Sequence, residues 1–139
     1  MIDFWNARYA AAEYAYGTEP NAFFKAQLDQ LTPGRLLLPA EGEGRNAVYA
    51  AKKGWEVVAF DQSEAGQKKA LKLAKETGVS LTYLIKDAMD FDSRTTFDVV
   101  FYGFFHAPPD ALTPLYHHLN TFLKPGGTLL LEGFSKKNL

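Results

Sequence analysis

A short apolar run that leads into a glycine turn constrains this chain more than any other stretch. Residues 36–38 are three leucines, and Gly42 and Gly44 follow them before Ala47 and further alanines at helical spacing. This order predicts a buried parallel strand, a tight turn and a helix packed closely against the sheet. A backbone without Cβ can take a positive φ or approach a ligand closely. Residues 42–47 therefore fit the loose nucleotide-binding pattern G-x-G-x-x-G/A, which a purely structural turn also produces.

An acidic residue ends the second apolar strand of the sequence. Asp61 follows residues 57–60, about 20 residues beyond the turn, where an acid of a doubly wound fold accepts hydrogen bonds from ribose hydroxyls. A carboxylate accepts without donating, so it suits a vicinal diol. The alternative is that Asp61 only caps a helix that begins near Ser63. The first interpretation predicts a cofactor that contains adenosine.

The charges around the turn bear on which cofactor this is. A dinucleotide would place its pyrophosphate at the helix N-terminus, but Glu41 and Glu43 flank Gly42. A carboxylate roughly 5 Å from an anion opposes it by about 3 kcal/mol at an effective dielectric constant of about 20. Arg45 offsets part of this repulsion. The pattern favours S-adenosylmethionine, which has no phosphate and carries an ammonium and a sulfonium.

Six segments of the chain carry a resemblance to a known family. They are residues 5–9, 13–21, 44–46, 61–63, 87–88 and 123–127. In this order they resemble the class I S-adenosylmethionine-dependent methyltransferases, nearest to the small tellurite-resistance and thiopurine-type branch. The resemblance implies an α/β fold, a doubly wound and mostly parallel sheet of strand order 3-2-1-4-5 (Rossmann-like). It also implies methyl transfer from S-adenosyl-L-methionine to a small-molecule acceptor.

The resemblance extends to the residues that would hold the cofactor. In the family, the acid after the third strand lies near the adenine amino group, and Asp87 matches that position; the alternative is that Asp87 only caps a turn. An aromatic face can hold a sulfonium, for which Tyr16 is the candidate, although core packing would explain it equally. Phe104 lies on the rim after the fourth strand. The predicted cofactor-binding residues are Tyr16, Ala40, Glu41, Gly42, Glu43, Gly44, Asn46, Asp61, Gln62, Ser63, Asp87, Ala88 and Phe104.

The turn departs from the commonest pattern of the family, Asp-x-Gly-x-Gly-x-Gly. Leu38 stands at the Asp position and Ala40 at the first Gly. Glu41, at a neighbouring position, is the candidate for the missing carboxylate. The departures leave open which acid meets the methionine end of the cofactor.

A catalytic base is needed only if the acceptor must lose a proton. Methyl transfer from a sulfonium otherwise depends on aligning the nucleophile, the carbon and the sulfur. His106 is the titratable rim residue with a suitable unperturbed pKa, and its alternative role is packing beside two prolines. No residues have metal-ligand spacing, so no metal is expected.

Composition limits the remaining classes of function. A length of 139 residues predicts a single domain, divided into an amino-terminal helical cap at 1–32 and an α/β core at 33–139. A net charge of −1 provides no basic field for nucleic acid or an anionic membrane. The absence of cysteine excludes thiolate chemistry. With no apolar run of about 20 residues and no leader, a cytoplasmic location is expected.

The predicted strands end with a fifth at 128–133, whereas the resemblance implies two more in a carboxyl-terminal β-hairpin. Its absence would leave a bare sheet edge, which folded proteins usually cover. Either the chain lacks its tail or another chain covers the edge, as in a homodimer. Lys68, Lys69, Lys72 and Lys75 are expected to form a solvated helix face. A nicotinamide-dependent oxidoreductase and a non-catalytic S-adenosylmethionine-binding module remain the alternative functions.

Overall fold

A parallel sheet organises the residues that the computed structural model describes, 19–103 and 109–132. Its strands are β1 (Arg35–Pro39), β2 (Glu56–Asp61), β3 (Thr82–Ile85), β4 (Phe97–Gly103) and β5 (Leu123–Glu132). The helices are α1 (Ala22–Leu28), α2 (Arg45–Lys52), α3 (Glu64–Thr77) and α4 (Pro109–Asn120), with a 3-10 helix at Ala88–Asp90.

The strands lie in the order β3-β2-β1-β4-β5, and every neighbouring pair is parallel. The predicted α/β class and strand order are therefore confirmed. Since the strands are parallel, all their carboxyl ends meet at one edge. Strand order reverses between β1 and β4, and in open sheets of this kind the ligand crevice forms at that point.

Hydrophobic clusters cover both faces of the sheet. On the first face, Phe24 of α1 packs on Phe101 of β4 with ring centroids 4.7 Å apart. On the second face, Phe60 stacks on Phe91 at 4.9 Å. Successive strand residues point to opposite faces, which explains the leucines at 36–38: the first and third join one cluster and the second joins the other.

The fifth strand begins earlier than the sequence indicated. It pairs Phe97 with Leu123 and then Val99 with Thr128, so residues 124–127 bulge out between the two pairs. Lys124 in the bulge forms an ion pair with Asp98. The two glycines of the bulge therefore bend a strand that has already begun, rather than starting it.

One lysine of α3 corrects the expectation of a solvated face. The Lys69 Nζ lies 2.7 Å from Glu43 Oε2, and the two side chains are only 12% and 3% exposed. Lys68, Lys72 and Lys75 are exposed, as expected. A lysine can bury its long aliphatic stem and still deliver its charge to a partner, which is why helical spacing alone misplaced Lys69.

The expected hairpin and the cap at 1–32 are not settled by the described residues. Leu129 and Leu131 of β5 are exposed, Leu131 at 57%. Residues 1–18 and 133–139 lie outside the described part, so the division into a cap and a core stays a prediction. No helix within the described ranges is both long and apolar enough to cross a membrane.

Candidate functional site

The carboxyl edge of the sheet brings together groups from all five strands. Residues 40–44 form the turn after β1, Asp61 ends β2, and Asp87 follows β3. Gly103 ends β4 and Glu132 ends β5, and these two residues are register partners. The predicted site residues that the structure describes therefore lie along one edge.

The glycine turn is held in place by the two strands beyond β1. The Gly42 N–H donates to Asp61 Oδ2 at 2.9 Å, and the hydroxyl of the buried Tyr83 donates to the Gly42 carbonyl at 2.5 Å. Gly42 itself has a φ of 67°. Strands β2 and β3 thus fix the backbone of the turn.

Gly44 allows two helices to pack closely. Its φ is 88°, and a Cβ placed there would lie 2.4 Å from the Ala70 Cβ on α3. No side chain fits at that separation, so a glycine is required for the start of α2 to approach α3. Ala40 stands where the family pattern has its first glycine, and it has a positive φ of 54°. It therefore takes the backbone conformation that the family glycine would favour.

Asp61 already accepts three backbone hydrogen bonds. Its Oδ1 accepts from Gln62 N at 2.7 Å and from Ser63 N at 3.2 Å, and its Oδ2 accepts from Gly42 N. Burial nevertheless raises its pKa. A carboxylate offers about four acceptor positions, so about one position on Oδ2 remains for a ligand. Asp61 was expected to accept hydrogen bonds from both hydroxyls of the ribose, but the structure leaves it an acceptor position for about one.

The helix cap that was weighed against ribose binding belongs to a neighbouring residue. Ser63 is the N-cap of α3, and its Oγ accepts from Gly66 N at 3.0 Å. Asp61 orders the two residues before the helix instead. A role in holding the turn and a role in binding a ligand are both compatible with this geometry.

The predicted adenine-side residues are in contact with the β2 end. The Gln62 Nε2 donates to Asp87 Oδ2 at 3.0 Å, while Asp87 Oδ1 accepts from Met89 N at 3.0 Å. Asp87 is therefore the N-cap of the 3-10 helix, so the capping role foreseen as an alternative is present. Ala88, its neighbour, is buried in the second hydrophobic cluster.

The two glutamates of the turn do not act as two free negative charges. Glu43 is buried and paired with Lys69. Burial raises the pKa of Glu41 to about 8, although its Oε1 accepts from Asn46 N at 3.2 Å. The uncharged carboxyl of Glu41 is therefore favoured more than it would be in water. The sequence argument allowed for compensation by Arg45 alone, and the structure adds Lys69 as a partner of Glu43.

A hydrogen-bonded network at this edge was not found from the sequence. Asn21 N donates to Asn46 Oδ1 at 2.8 Å, and Asn21 Nδ2 donates to Glu132 Oε1 at 3.0 Å. Of these residues, Asn46 alone was expected in the site. The usable signal was the position of Glu132 at the end of the last strand, since ends of parallel strands share an edge. Asn21 precedes Glu132 by 111 residues, so local patterns do not connect them.

Three predicted site residues, Tyr16, Phe104 and His106, lie outside the described residues. Among residues 19–103 and 109–132, no group of three histidine, cysteine, aspartate or glutamate side chains is placed to hold a metal ion.

An open cleft of about 320 Å³ lies at the other edge of the sheet. Gly34, Asp98 and Lys124, at the amino-terminal ends of their strands, are among the residues that line it. It therefore shares no residue with the carboxyl edge, and Asp98 and Lys124 of its lining form an ion pair.

The family model for a methyltransferase domain matches residues 39–127, from the last residue of β1 to the bulge of β5. The chain belongs to this methyltransferase domain family. The match includes the glycine turn, Asp61 and Asp87, but ends before Glu132. Comparison with curated protein sequences gives no significant match. The narrower tellurite-resistance and thiopurine-type branch is not distinguished by the family match.

Solved structures share the fold of this methyltransferase domain. One structure was described with the conversion of a disulfide bond into a thioacetal group during echinomycin biosynthesis. It is 21% identical to this chain, with a TM-score of 0.82. Two S-adenosylmethionine-dependent methyltransferases, from Thiobacillus denitrificans and Geobacter sulfurreducens, are 19% and 21% identical with TM-scores of 0.72 and 0.73. Each comparison covers 94% of this chain but only 58%, 55% and 56% of the respective structure. At these identities the likeness establishes the fold alone.

Proposed function

We propose that this chain is an S-adenosylmethionine-dependent methyltransferase domain that acts on a small-molecule acceptor. The observation that carries the proposal is the position of Asp61, which ends β2 and accepts the N–H of Gly42 in the turn of a methyltransferase family domain. The similar structures from Thiobacillus denitrificans and Geobacter sulfurreducens were determined with S-adenosylhomocysteine, which supports the choice of cofactor.

The adenosine half would lie over the ends of β2 and β3. Asp61 Oδ2 has an acceptor position left for one ribose hydroxyl. Asp87 would accept from the adenine amino group, and its contact with Gln62 at 3.0 Å sets the spacing between the two strand ends. Ser63 and Ala88 support these positions from behind, the first as a helix cap and the second within the core.

The cationic half would lie over the turn after β1. Glu41 is partly buried with a pKa raised to about 8. A nearby ammonium favours the ionised carboxylate, so binding of the methionine end would lower the pKa of Glu41. Glu41 therefore takes the role of the acid that is missing from β1. Ala40, Gly42, Glu43, Gly44 and Asn46 form the backbone that presents it, and Tyr16 and Phe104 remain candidates for the sulfonium side.

The cofactor supplies an activated methyl group, and the residues of the chain position the reactants and exclude water. The backbone of the turn is fixed by bonds to Asp61 and Tyr83, which preserves the alignment that in-line displacement needs. His106 remains the candidate base for acceptors that lose a proton. The resemblance to the tellurite-resistance and thiopurine-type branch supports an acceptor of low molecular weight.

Transfer of a labelled methyl group tests this function. The 139-residue chain is incubated with methyl-labelled S-adenosylmethionine and with thiol, amine, selenium and tellurium acceptors, and S-adenosylhomocysteine and labelled product are quantified. We expect equal amounts of both products with at least one acceptor. An Asp61→Ala variant should lose turnover, whereas Glu56→Gln, at the opposite edge, should keep it.

Two other results would replace the proposal. Binding of S-adenosylmethionine without turnover on any acceptor would indicate a non-catalytic binding module. Oxidation of NADH with a carbonyl substrate would indicate an oxidoreductase, which the pairing of Glu43 with Lys69 leaves open because it removes part of the predicted repulsion of a diphosphate.

A further inference from the structure

A buried carboxylate oxygen without a hydrogen-bond partner lies at the carboxyl edge of the sheet. Among the described residues, Glu132 Oε2 is the buried side-chain oxygen that no group donates to. Its other oxygen, Oε1, accepts from Asn21 Nδ2 at 3.0 Å. Buried polar groups are nearly always paired. The unpaired oxygen at this edge therefore offers an acceptor to the donor group of a ligand.

The network around Glu132 holds this side chain in one place. Asn21 makes three hydrogen bonds that fix it: its N–H donates to Asn46 Oδ1, its Oδ1 caps α1 by accepting from Phe24 N, and its Nδ2 donates to Glu132 Oε1. Asn46 in turn donates its N–H to Glu41 Oε1 at 3.2 Å. Glu132 is thus connected through two asparagines to the turn that would meet the cationic end of the cofactor.

The position of β5 separates Glu132 from the adenosine end. In the strand order, β5 lies two strands from β1 and three from β2. At roughly 4.8 Å per strand these distances are about 10 Å and 14 Å. Glu132 is also two residues beyond Leu130, so it lies on the same sheet face as Phe24 and Phe101. The cofactor would extend from the ends of β3 and β2 across β1. The methyl acceptor would then lie beyond its methyl group, on the side of β5.

We propose that Glu132 recognises the methyl acceptor by accepting a hydrogen bond from an N–H or O–H group of it. This inference rests on the proposed function and deepens it. A carboxylate attracts a cationic or neutral donor and repels an anion, so the acceptor class is an amine or a hydroxyl compound rather than an oxyanion such as selenite or tellurite. Glu132 is then a specificity-determining residue, positioned by Asn21.

Calorimetry on the cofactor-loaded protein tests the inference without requiring turnover. The full chain is first titrated with S-adenosylhomocysteine and then, once saturated, with benzylamine, phenol and selenite in separate experiments. We expect benzylamine or phenol to bind and selenite not to bind. Glu132→Gln keeps the size of the side chain and replaces the free acceptor. The substitution should lower the affinity for whichever donor compound binds by about tenfold or more. It should change the S-adenosylhomocysteine affinity by less than about twofold.

Two controls separate recognition from structure. Glu56→Gln, an exposed carboxylate at the start of β2, should leave both affinities unchanged. The thermal midpoint of Glu132→Gln without ligand should stay close to that of the wild-type chain, because the substitution exchanges one unpaired buried polar atom for another and keeps the oxygen that accepts from Asn21. A midpoint lowered by several degrees would instead assign Glu132 a structural role.

The other outcomes each overturn a different statement. Failure of the wild-type chain to bind S-adenosylhomocysteine would refute the proposed function itself, before any acceptor is added. If S-adenosylhomocysteine binds normally, three results would refute only the role of Glu132. They are the absence of binding by both benzylamine and phenol, the binding of selenite, and equal binding of a donor by the wild type and Glu132→Gln. A tenfold loss of S-adenosylhomocysteine affinity in the variant would place Glu132 on the cofactor.

Discussion

Replacing Gly44 with alanine is expected to destabilise the fold by about 2–4 kcal/mol. An L-residue with a left-handed backbone costs about 1–2 kcal/mol, and Gly44 has a φ of 88°. Alanine also lowers the conformational entropy of the unfolded chain, which offsets about 0.4–1 kcal/mol of this cost. A new methyl group 2.4 Å from the Ala70 Cβ and 2.8 Å from the Ala70 Cα adds the overpacking penalty, about 1–3 kcal/mol.

The chain provides a matched control at the end of α3. Gly78 has a φ of 80° and nothing within 4 Å of the position of a Cβ, so Gly78→Ala should cost only the conformational part, about 1 kcal/mol. Urea unfolding of both variants measures the difference, with unchanged m-values as the check that the unfolded states are comparable. Equal losses in the two variants would refute the conclusion that Gly44 is required for the packing of α2 on α3.

Three further predictions concern the turn and its neighbours. Ala40→Gly should stabilise the chain by about 0.5–1 kcal/mol in the same unfolding experiment, since it relieves a positive φ of 54°, and a loss of stability would contradict this. Glu41 has a folded pKa of about 8 against 4.5, so the folded chain binds the extra proton and stability should fall as pH rises from about 4.5 to about 8. Glu41→Gln should flatten that slope, and an unchanged slope would exclude Glu41 as its source. Asp61→Ala should weaken S-adenosylmethionine binding by about 1.5–3 kcal/mol by calorimetry, and should also lower the thermal midpoint because three backbone N–H groups lose their acceptor; an unchanged affinity would remove Asp61 from the cofactor site.

The sheet could be predicted because its signals are local. Apolar runs bounded by glycines mark the strands, and a strand buried on both faces reads as a continuous run such as residues 36–38. The beginning of β5 was missed because a bulge depends on which residue of β4 lies opposite. Pairing of Val99 with Thr128 is a property of two strands, and no pattern within either one contains it.

The site was predicted as a set of residues but not as a set of contacts. Asp61 was identified by its place at a strand end, whereas the hydrogen bond that it accepts from Gly42 N depends on how β1 and β2 are aligned. The pair of Glu43 with Lys69 was missed because helical spacing describes where a Cβ points and not how far a lysine reaches. The link from Asn21 to Glu132 joins the two ends of the described chain.

Titration calorimetry with S-adenosylmethionine, S-adenosylhomocysteine and NADH tests the central claim most directly. The claim is that the edge formed by the glycine turn and Asp61 holds the adenosine of a cationic methyl donor. We predict that S-adenosylmethionine and S-adenosylhomocysteine each bind at one site per chain and that NADH gives no binding heat. Binding of NADH, with neither of the other two bound, would contradict the claim.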